Sequence, residues 1–481
     1  MRFHSLLYLV FLAATVLVAW CLPRRPRKAW LLVTSLVFYA SWHVKYVVLL
    51  ASVGAIASVG GALVDRASGP SRRLRGTIVV ALLAAVLGAF KYLDWAFEHL
   101  NFVVARLGGG PFLAPHWLLP LGVSFYTFEA IGYIVEVTRN KERRYGFFDF
   151  QLFLSFYPHL VAGPIMRAKE LIPQFEAEEW RPRREQILSG LQTLAIGLFL
   201  KNVIVDKFSW EVDAAFAQPL TEVGWKDALS MAVGFAVQIY LDFSAYSRLA
   251  IGSAQLFGIE LTENFNYPFR ARNPADFWNR WHISLSRWIR DYLFFPLVGK
   301  RMRVSRMCWA SIASMVLCGL WHGAGYTFIL WGAYHGLLTA GYYVARWALG
   351  QWRKKTGATT DVFEGRFGGL LSGALTWVLL LPTWILFRAA NVKEALQLIG
   401  ILLTPWSHLH HGGGFAKKPF ALMVAIWLAP FVVEALDARS SNLARTRPAL
   451  FGLGRGAIVG VALLFAILYM GSQTAFVYFQ F

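Results

Sequence analysis

The sequence predicts an all-α, polytopic integral membrane protein with about 11–12 transmembrane helices plus re-entrant and amphipathic helices. Three observations carry that prediction. Apolar residues make up 57% of the 481-residue chain and charged ones 15%, against roughly 45–50% and about 25% in ordinary soluble domains. Mean hydropathy is +0.48, and runs near the ~20 apolar residues that a bilayer requires recur from end to end. Between the runs, Lys and Arg sit in short clusters, the positive-inside pattern. They are Arg24 to Lys28, Arg66 to Arg75, Arg139 to Arg144, Lys300 to Arg306, Arg353 to Lys355 and Arg439 to Arg455. A net charge of +20 spread in this way points to membrane lipids as partners and not to nucleic acid.

Twelve spans are expected, at 3–22, 29–42, 46–64, 76–97, 117–137, 187–208, 226–258, 307–322, 327–349, 366–388, 419–436 and 456–476. With the N-terminus outside, every basic cluster falls on the cytoplasmic side, and the short 29–42 and 46–64 pair is needed for that agreement. The first run lacks a charged n-region beyond Arg2 and a small-x-small cleavage site, so it is expected to stay as the first span. Trp20 before Cys21 argues against a lipoprotein signal. Cys21, Cys308 and Cys318 show no metal spacing, and the last two sit too far apart along one helix to bridge. One membrane-embedded domain, 1–481, is expected: N-terminal spans 1–137, a core 147–349 and C-terminal spans 366–481. The longest polar loops, 350–365 and 405–418, are too short to fold alone.

Two stretches are neither good spans nor ordinary loops. Residues 147–186 begin apolar, pass through Gly163-Pro164 and end charged, as a re-entrant or broken helix would. Over Ala275 to Phe294 a helical wheel puts Trp278, Trp281, Leu285, Trp288 and Tyr292 on one face and Asp276, Arg280, Arg287 and Arg290 on the other. That pattern predicts one basic amphipathic helix with a tryptophan-rich side at the cytoplasmic interface.

His322 stands out chemically, in Gly319-Leu-Trp-His-Gly-Ala-Gly325. An ionisable side chain at membrane depth is costly and by default a hint of function, and imidazole is suited to proton transfer near neutral pH. From a start near Arg306, sixteen residues place it about 24 Å along its helix. A histidine there either hydrogen-bonds between helices or carries protons. His282 lies between the tryptophan and arginine faces of the amphipathic stretch, facing headgroups or serving a site. His335, thirteen residues from His322, reads as structural. Asp242 either orients a histidine or pairs with a buried cation such as Arg248; Glu129, Glu136, Lys91 and Asp94 are similar cases nearer span ends. The chain has no Gly-x-Ser-x-Gly, P-loop, His-Glu-x-x-His or acidic metal cluster, which argues against a serine hydrolase, an ATP-driven pump and a metalloprotease.

Several long segments, in order, resemble the membrane-bound O-acyltransferase family on its bacterial alginate-acetylation branch. They are Leu119-Pro-Leu-Gly-Val-Ser-Phe-Tyr-Thr-Phe128, Phe156-Tyr-Pro-His-Leu-Val-Ala-Gly-Pro-Ile-Met-Arg167, Glu263-Asn-Phe-Asn-Tyr-Pro-Phe269, Asp276-Phe-Trp-Asn-Arg-Trp-His-Ile-Ser-Leu-Ser286, Arg290-Asp-Tyr-Leu293, Trp321-His-Gly323 and Tyr478-Phe-Gln-Phe481. The resemblance implies a ring of helices with a central tunnel in a bacterial inner membrane, and the charge pattern predicts a periplasmic N-terminus. It implies transfer of an acyl group, usually acetyl, from a cytoplasmic thioester toward an exported acceptor, with His322 catalytic and His282 the second hallmark position.

On that reading His322 is a general base or a transient acyl carrier. Trp281, Arg280, Arg287, Arg290, Asp242, Trp321 and Asn279 are candidates to position substrate or donor. No cofactor is expected to stay bound; acetyl-CoA or an acylated carrier protein is the donor. A periplasmic SGNH-type acetyltransferase is the expected partner and a polysaccharide such as alginate the acceptor, with peptidoglycan, cellulose, lipid or D-alanyl transfer as alternatives. The family's usual glycine and aspartate are replaced by Ala245 and Arg248, and its Pro-Leu-Gly-Gly run by Pro296-Leu-Val-Gly-Lys300; these departures bear on donor and partner. From another class, a proton-coupled transporter using His322 and Asp242 as a relay would lack the interrupted half repeats common in transporters.

Overall fold

The computed structural model describes residues 1–161, 163–177, 180–357, 365–404 and 448–470, with positions 406, 421, 424 and 425 beside them. Among the described residues the regular structure is entirely helical. In chain order the helices are α1 (Leu6–Cys21), α2 (Arg24–Ala40), α3 (Lys45–Asp65), α4 (Gly69–Arg106), α5 (Val123–Thr138), α6 (Phe147–Ser155), α7 (Tyr157–Leu160), α8 (Ala168–Glu176) and α9 (Arg184–Phe199). A π-helical stretch, Leu200–Val205, leads into α10 (Asp206–Phe216), followed by α11 (Trp225–Gln255), α12 (Pro274–Arg280) and α13 (Ile283–Ile289). A second π-helical stretch, Arg290–Phe294, precedes α14 (Phe295–Val298), α15 (Val304–His322), α16 (Tyr326–Thr356), α17 (Arg366–Arg388), α18 (Val392–Leu403) and α19 (Pro448–Leu468).

Among the described residues, six helical runs are long and apolar enough to cross a membrane: α3, α4, α9 through α10, α11, α15 and α17 from Gly368; α1 is apolar but shorter. The chain is a multi-pass membrane protein. Each expected span carries a helix except 419–436, which lies outside the described residues apart from the isolated positions above, as does Tyr478 to Phe481.

The chain forms two compact units. The first comprises Met1–Leu198 and Ala245–Glu263. Here small residues let helices approach closely, the packing device of membranes, where lipid removes the hydrophobic drive between helices. A Cβ on Gly76 of α4 would fall 2.1 Å from Thr138 Oγ1 at the end of α5. The expected break in 147–186 is present as α6, α7 and α8. Side chains satisfy the backbone it frees: Ser35 Oγ accepts from the Tyr157 N–H at 3.1 Å. The buried Glu129 carboxylate accepts from the Met166 N–H at 2.8 Å and lies 3.3 Å from His159 Nδ1.

The second unit comprises Phe199–Ser244 and Asn264–Phe481. Its centre is the α15–α16 hairpin, closed by Gly323-Ala324-Gly325. A Cβ on Gly319 would lie 2.1 Å from the Phe328 carbonyl, and one on Gly332 would lie 2.2 Å from the Met315 carbonyl. The two backbones therefore touch where only glycine fits.

The single amphipathic helix expected over 275–294 is absent. It is broken into α12, α13 and a π-helical stretch, and His282 adopts the left-handed conformation at φ 42°. The tryptophan-rich side does not face lipid either: Trp281, Leu285, Trp288 and Tyr292 are buried in protein. A preceding segment causes the break. Asn264 accepts at its backbone carbonyl from the Ile283 N–H at 2.9 Å, and its Oδ1 accepts from Ser284 Oγ at 2.6 Å. The Asn266 N–H donates to the Arg280 carbonyl at 2.9 Å. These bonds replace the helical ones that Arg280 to Ser284 would otherwise make.

Candidate active site

The second unit brings the two predicted catalytic histidines into one aromatic cluster. His322 is the last residue of α15 and 6% exposed. Its ring meets Trp321 at 4.9 Å, Trp331 at 5.0 Å and Phe387 at 5.1 Å, all edge to face. Trp321 also neighbours His282, at 6.4 Å, and Phe243 packs edge-on against His282 at 4.6 Å. One indole thus lies between both imidazoles.

His335 joins them from α16, which the hairpin turns back alongside α15. Trp331 lies between it and His322, with ring centroids 4.7 Å from His335. His335 also stacks on Phe277 at 6.0 Å and meets Trp278 at 5.0 Å. Sequence reasoning overlooked Trp331. Its indole N–H is buried and has no hydrogen-bond partner among the described residues, and a buried donor left open is uncommon enough to need a reason.

Burial pushes the His282 imidazole down to about 3, so at neutral pH it is uncharged. Unfolding restores a value near 6.5, so below about pH 6.5 the unfolded chain takes up a proton that the folded one refuses. Stability therefore rises with pH between those values. The thermal midpoint of detergent-solubilised protein is expected to fall from about pH 7 to about pH 5, and to fall less in His282→Asn. Equal falls would remove His282 as the cause.

The remaining predicted residues other than Asp242 separate into two places. Trp281 is buried beside Phe277, stacked at 5.5 Å, and Trp384, at 5.2 Å. Arg280 is held by Asp276 at 2.7 Å. Asn279, Arg287 and Arg290 instead line a cavity of ≈ 560 Å³, with Trp278, Ser311 and Thr339 among its other walls. Arg290 is paired with Asp291 at 2.9 Å, whereas Arg287 forms no ion pair with a described residue. Trp278 links the cavity to the cluster, since its ring is also 5.9 Å from Trp331.

Asp242 lies in neither place, and it pairs with Lys201. Lys201 Nζ is 2.8 Å from Asp242 and 2.9 Å from Asp206, all three side chains being buried. An α-helix would set residues five apart about 140° from one another. The π-helical stretch widens the turn there, and Lys201 reaches Asp206.

The site thus gathers buried imidazoles among apolar rings, with a cavity lined by arginines close by, in a multi-pass membrane protein. The chain belongs to the membrane-bound O-acyltransferase family, which it matches over residues 135–367, a stretch that includes His282, His322, Trp331, Asp242 and Lys201. It is 36% identical to the probable alginate O-acetylase of Pseudomonas aeruginosa, over 78% of this chain and 69% of that protein. It is 31% identical to the peptidoglycan O-acetyltransferase of Helicobacter pylori, over 94% of this chain and 91% of that protein. A teichoic acid D-alanyltransferase of Bacillus subtilis is 30% identical over 54% of this chain and 67% of its own length. The protein is a membrane O-acyltransferase, an assignment that leaves the transporter reading without support.

Proposed function

We propose that this protein transfers acetyl from a cytoplasmic thioester, acetyl-CoA or an acylated carrier protein, for O-acetylation of an extracytoplasmic polysaccharide such as alginate. The observation that carries the reading is His322, buried at a helix end and sharing Trp321 with His282. A hydroxyl attacks poorly at neutral pH, and a neutral imidazole supplies the base. His322 takes the hydroxyl proton as the oxygen bonds to the thioester carbonyl carbon, whose π electrons move to oxygen. Collapse of that intermediate breaks the C–S bond, and the thiolate leaves with the proton from the imidazolium. The Trp331 indole N–H is the donor for the developing oxyanion. His282, held neutral, positions the thioester, and Arg287 and Arg290 draw the anionic donor to the cavity. The protein sits in the inner membrane with its N-terminus periplasmic, and a periplasmic SGNH-type acetyltransferase takes the acetyl from the ester so formed, releasing that hydroxyl, and passes it to sugar hydroxyls.

One observation favours peptidoglycan as a second reading of the acceptor: the Helicobacter relative aligns over nearly the whole of both chains. Membranes containing the protein, incubated with acetyl-CoA labelled in the acetyl group, decide between them. Label in exopolysaccharide is the expected result, and label in the cell wall supports peptidoglycan. No protein-dependent label in any polymer, with the carrier thioester tested as well, would overturn the function.

A further inference from the structure

Where Leu22 and Pro23 join α1 to α2, the first unit holds a cavity of ≈ 730 Å³. Its wall carries four guanidinium groups, from Arg24, Arg27, Arg181 and Arg183, with Trp180 and Gln186. None of the four forms an ion pair with a described carboxylate. Of the described acidic side chains nearby, Glu176 is paired with Arg143 and Asp149 with Lys28 at 2.6 Å; Glu260 accepts from Gln186 of the wall at 3.2 Å, and Glu185 stands in the first turn of α9.

Arg24, Arg181 and Arg183 are exposed, and the built part of the wall is Arg27 with Trp180. Arg27 is 6% exposed and donates from Nη2 to the Leu22 carbonyl at 2.7 Å. Its guanidinium lies 5.4 Å over the Trp180 ring, and its Nε–H has no hydrogen-bond partner among the described residues. Trp180 is fixed by donation from Nε1 to the Phe257 carbonyl at 2.8 Å. Gly258, at φ +75°, lets the chain pass close to Pro182, whose nitrogen would lie 3.0 Å from a Cβ there.

Two helices also begin at this place, α2 at Arg24, with no side-chain cap, and α9 at Arg184. The positive end of a helix repels cations and attracts anions. Guanidinium groups gathered at two such ends are unfavourable unless an anion sits among them, and phosphate is the anion whose geometry they match. The cavity is far larger than a bare ion needs and lies within the range of small-molecule sites. The charge pattern puts Arg24 to Lys28 at the cytoplasmic face, where basic pockets receive anionic headgroups.

We propose that this cavity binds the phosphate of an anionic phospholipid headgroup, with Arg27 as the buried contact and Arg24, Arg181 and Arg183 around it. The site shares no residue with the acyl-transfer cluster, and its test does not use that activity. The measurement is the thermal midpoint of purified protein in uncharged detergent, titrated with phosphatidylglycerol, cardiolipin, phosphatidylcholine or inorganic phosphate. The anionic lipids are expected to raise it by about 3 °C or more at saturation, and phosphatidylcholine not at all. Arg24→Gln/Arg183→Gln, which spares the buried core, should at least halve the rise, and Arg27→Gln should abolish it. An undiminished rise in the double variant, or an equal rise with phosphatidylcholine, would overturn the site. Inorganic phosphate alone producing the whole rise would overturn the lipid assignment in favour of a free phosphate. A rise that emerges only in Glu178→Gln/Glu179→Gln would show that the chain neutralises its own arginines, and would overturn the proposal too.

Discussion

Lys201→Met is expected to destabilise the protein by about 3–5 kcal/mol, the scale on which breaking a buried ion pair acts. Its ammonium group lies between two carboxylates, 2.9 Å from Asp206 and 2.8 Å from Asp242. Without it, two buried negative charges face each other in a medium that screens them weakly. The damage is expected to spread beyond the pair. Asp242 precedes Phe243, which packs on His282, and follows Tyr240 by two residues, whose ring meets Phe269 at 5.1 Å. The triple variant Lys201→Met/Asp206→Asn/Asp242→Asn removes every charge and should recover a large part of the loss. Thermal denaturation of detergent-solubilised protein and the amount found in membranes are the readouts. A single variant as stable as the wild type would show that the charges do not hold this region.

His322→Ala is expected to lower kcat on the order of 10²–10⁴-fold, as loss of a general base does, while leaving KM for the thioester nearly unchanged. Packing makes the substitution a fair probe. His322 sits at the end of α15, where the loss is one ring among Trp321, Trp331 and Phe387, so protein level and thermal midpoint are measured beside kcat. His282→Ala is expected to act differently, raising KM more than it lowers kcat, because its neutral imidazole positions the donor without moving its proton. Trp331→Phe keeps an aromatic ring, smaller than indole, and removes the N–H, and should lower kcat more than it changes KM. A fall in kcat for His282→Ala as large as that for His322→Ala would contradict this division of roles.

The span pattern was legible in the sequence because lipid forces each crossing helix to hide its backbone and present apolar side chains. Gly163-Pro164 likewise announced the broken helix over 147–186, and the cost of a buried imidazole marked His322. The failures share one cause. The 3.6-residue spacing of tryptophans over 275–294 is real, but hydrogen bonds from Asn264 and Asn266 outcompete the helix at Trp281-His282. Local periodicity carries no information about a segment that pairs from twenty residues away. Lys201 was visible as a cation in the 187–208 run, yet its carboxylates lie five and forty-one residues on. The first is reached only through a π-helical turn that the residues did not signal. Trp331 looked like one more aromatic in an apolar run, and only the close α15–α16 crossing places it between two histidines.

The most direct test of the central claim is the O-acetyl content of extracytoplasmic polysaccharide in cells that make His322→Ala at the wild-type level, correctly inserted, in place of the wild-type protein. Loss of the protein-dependent acetylation is the predicted result. Polysaccharide acetylated to the wild-type extent would contradict the account, and the catalytic base would have to be sought elsewhere.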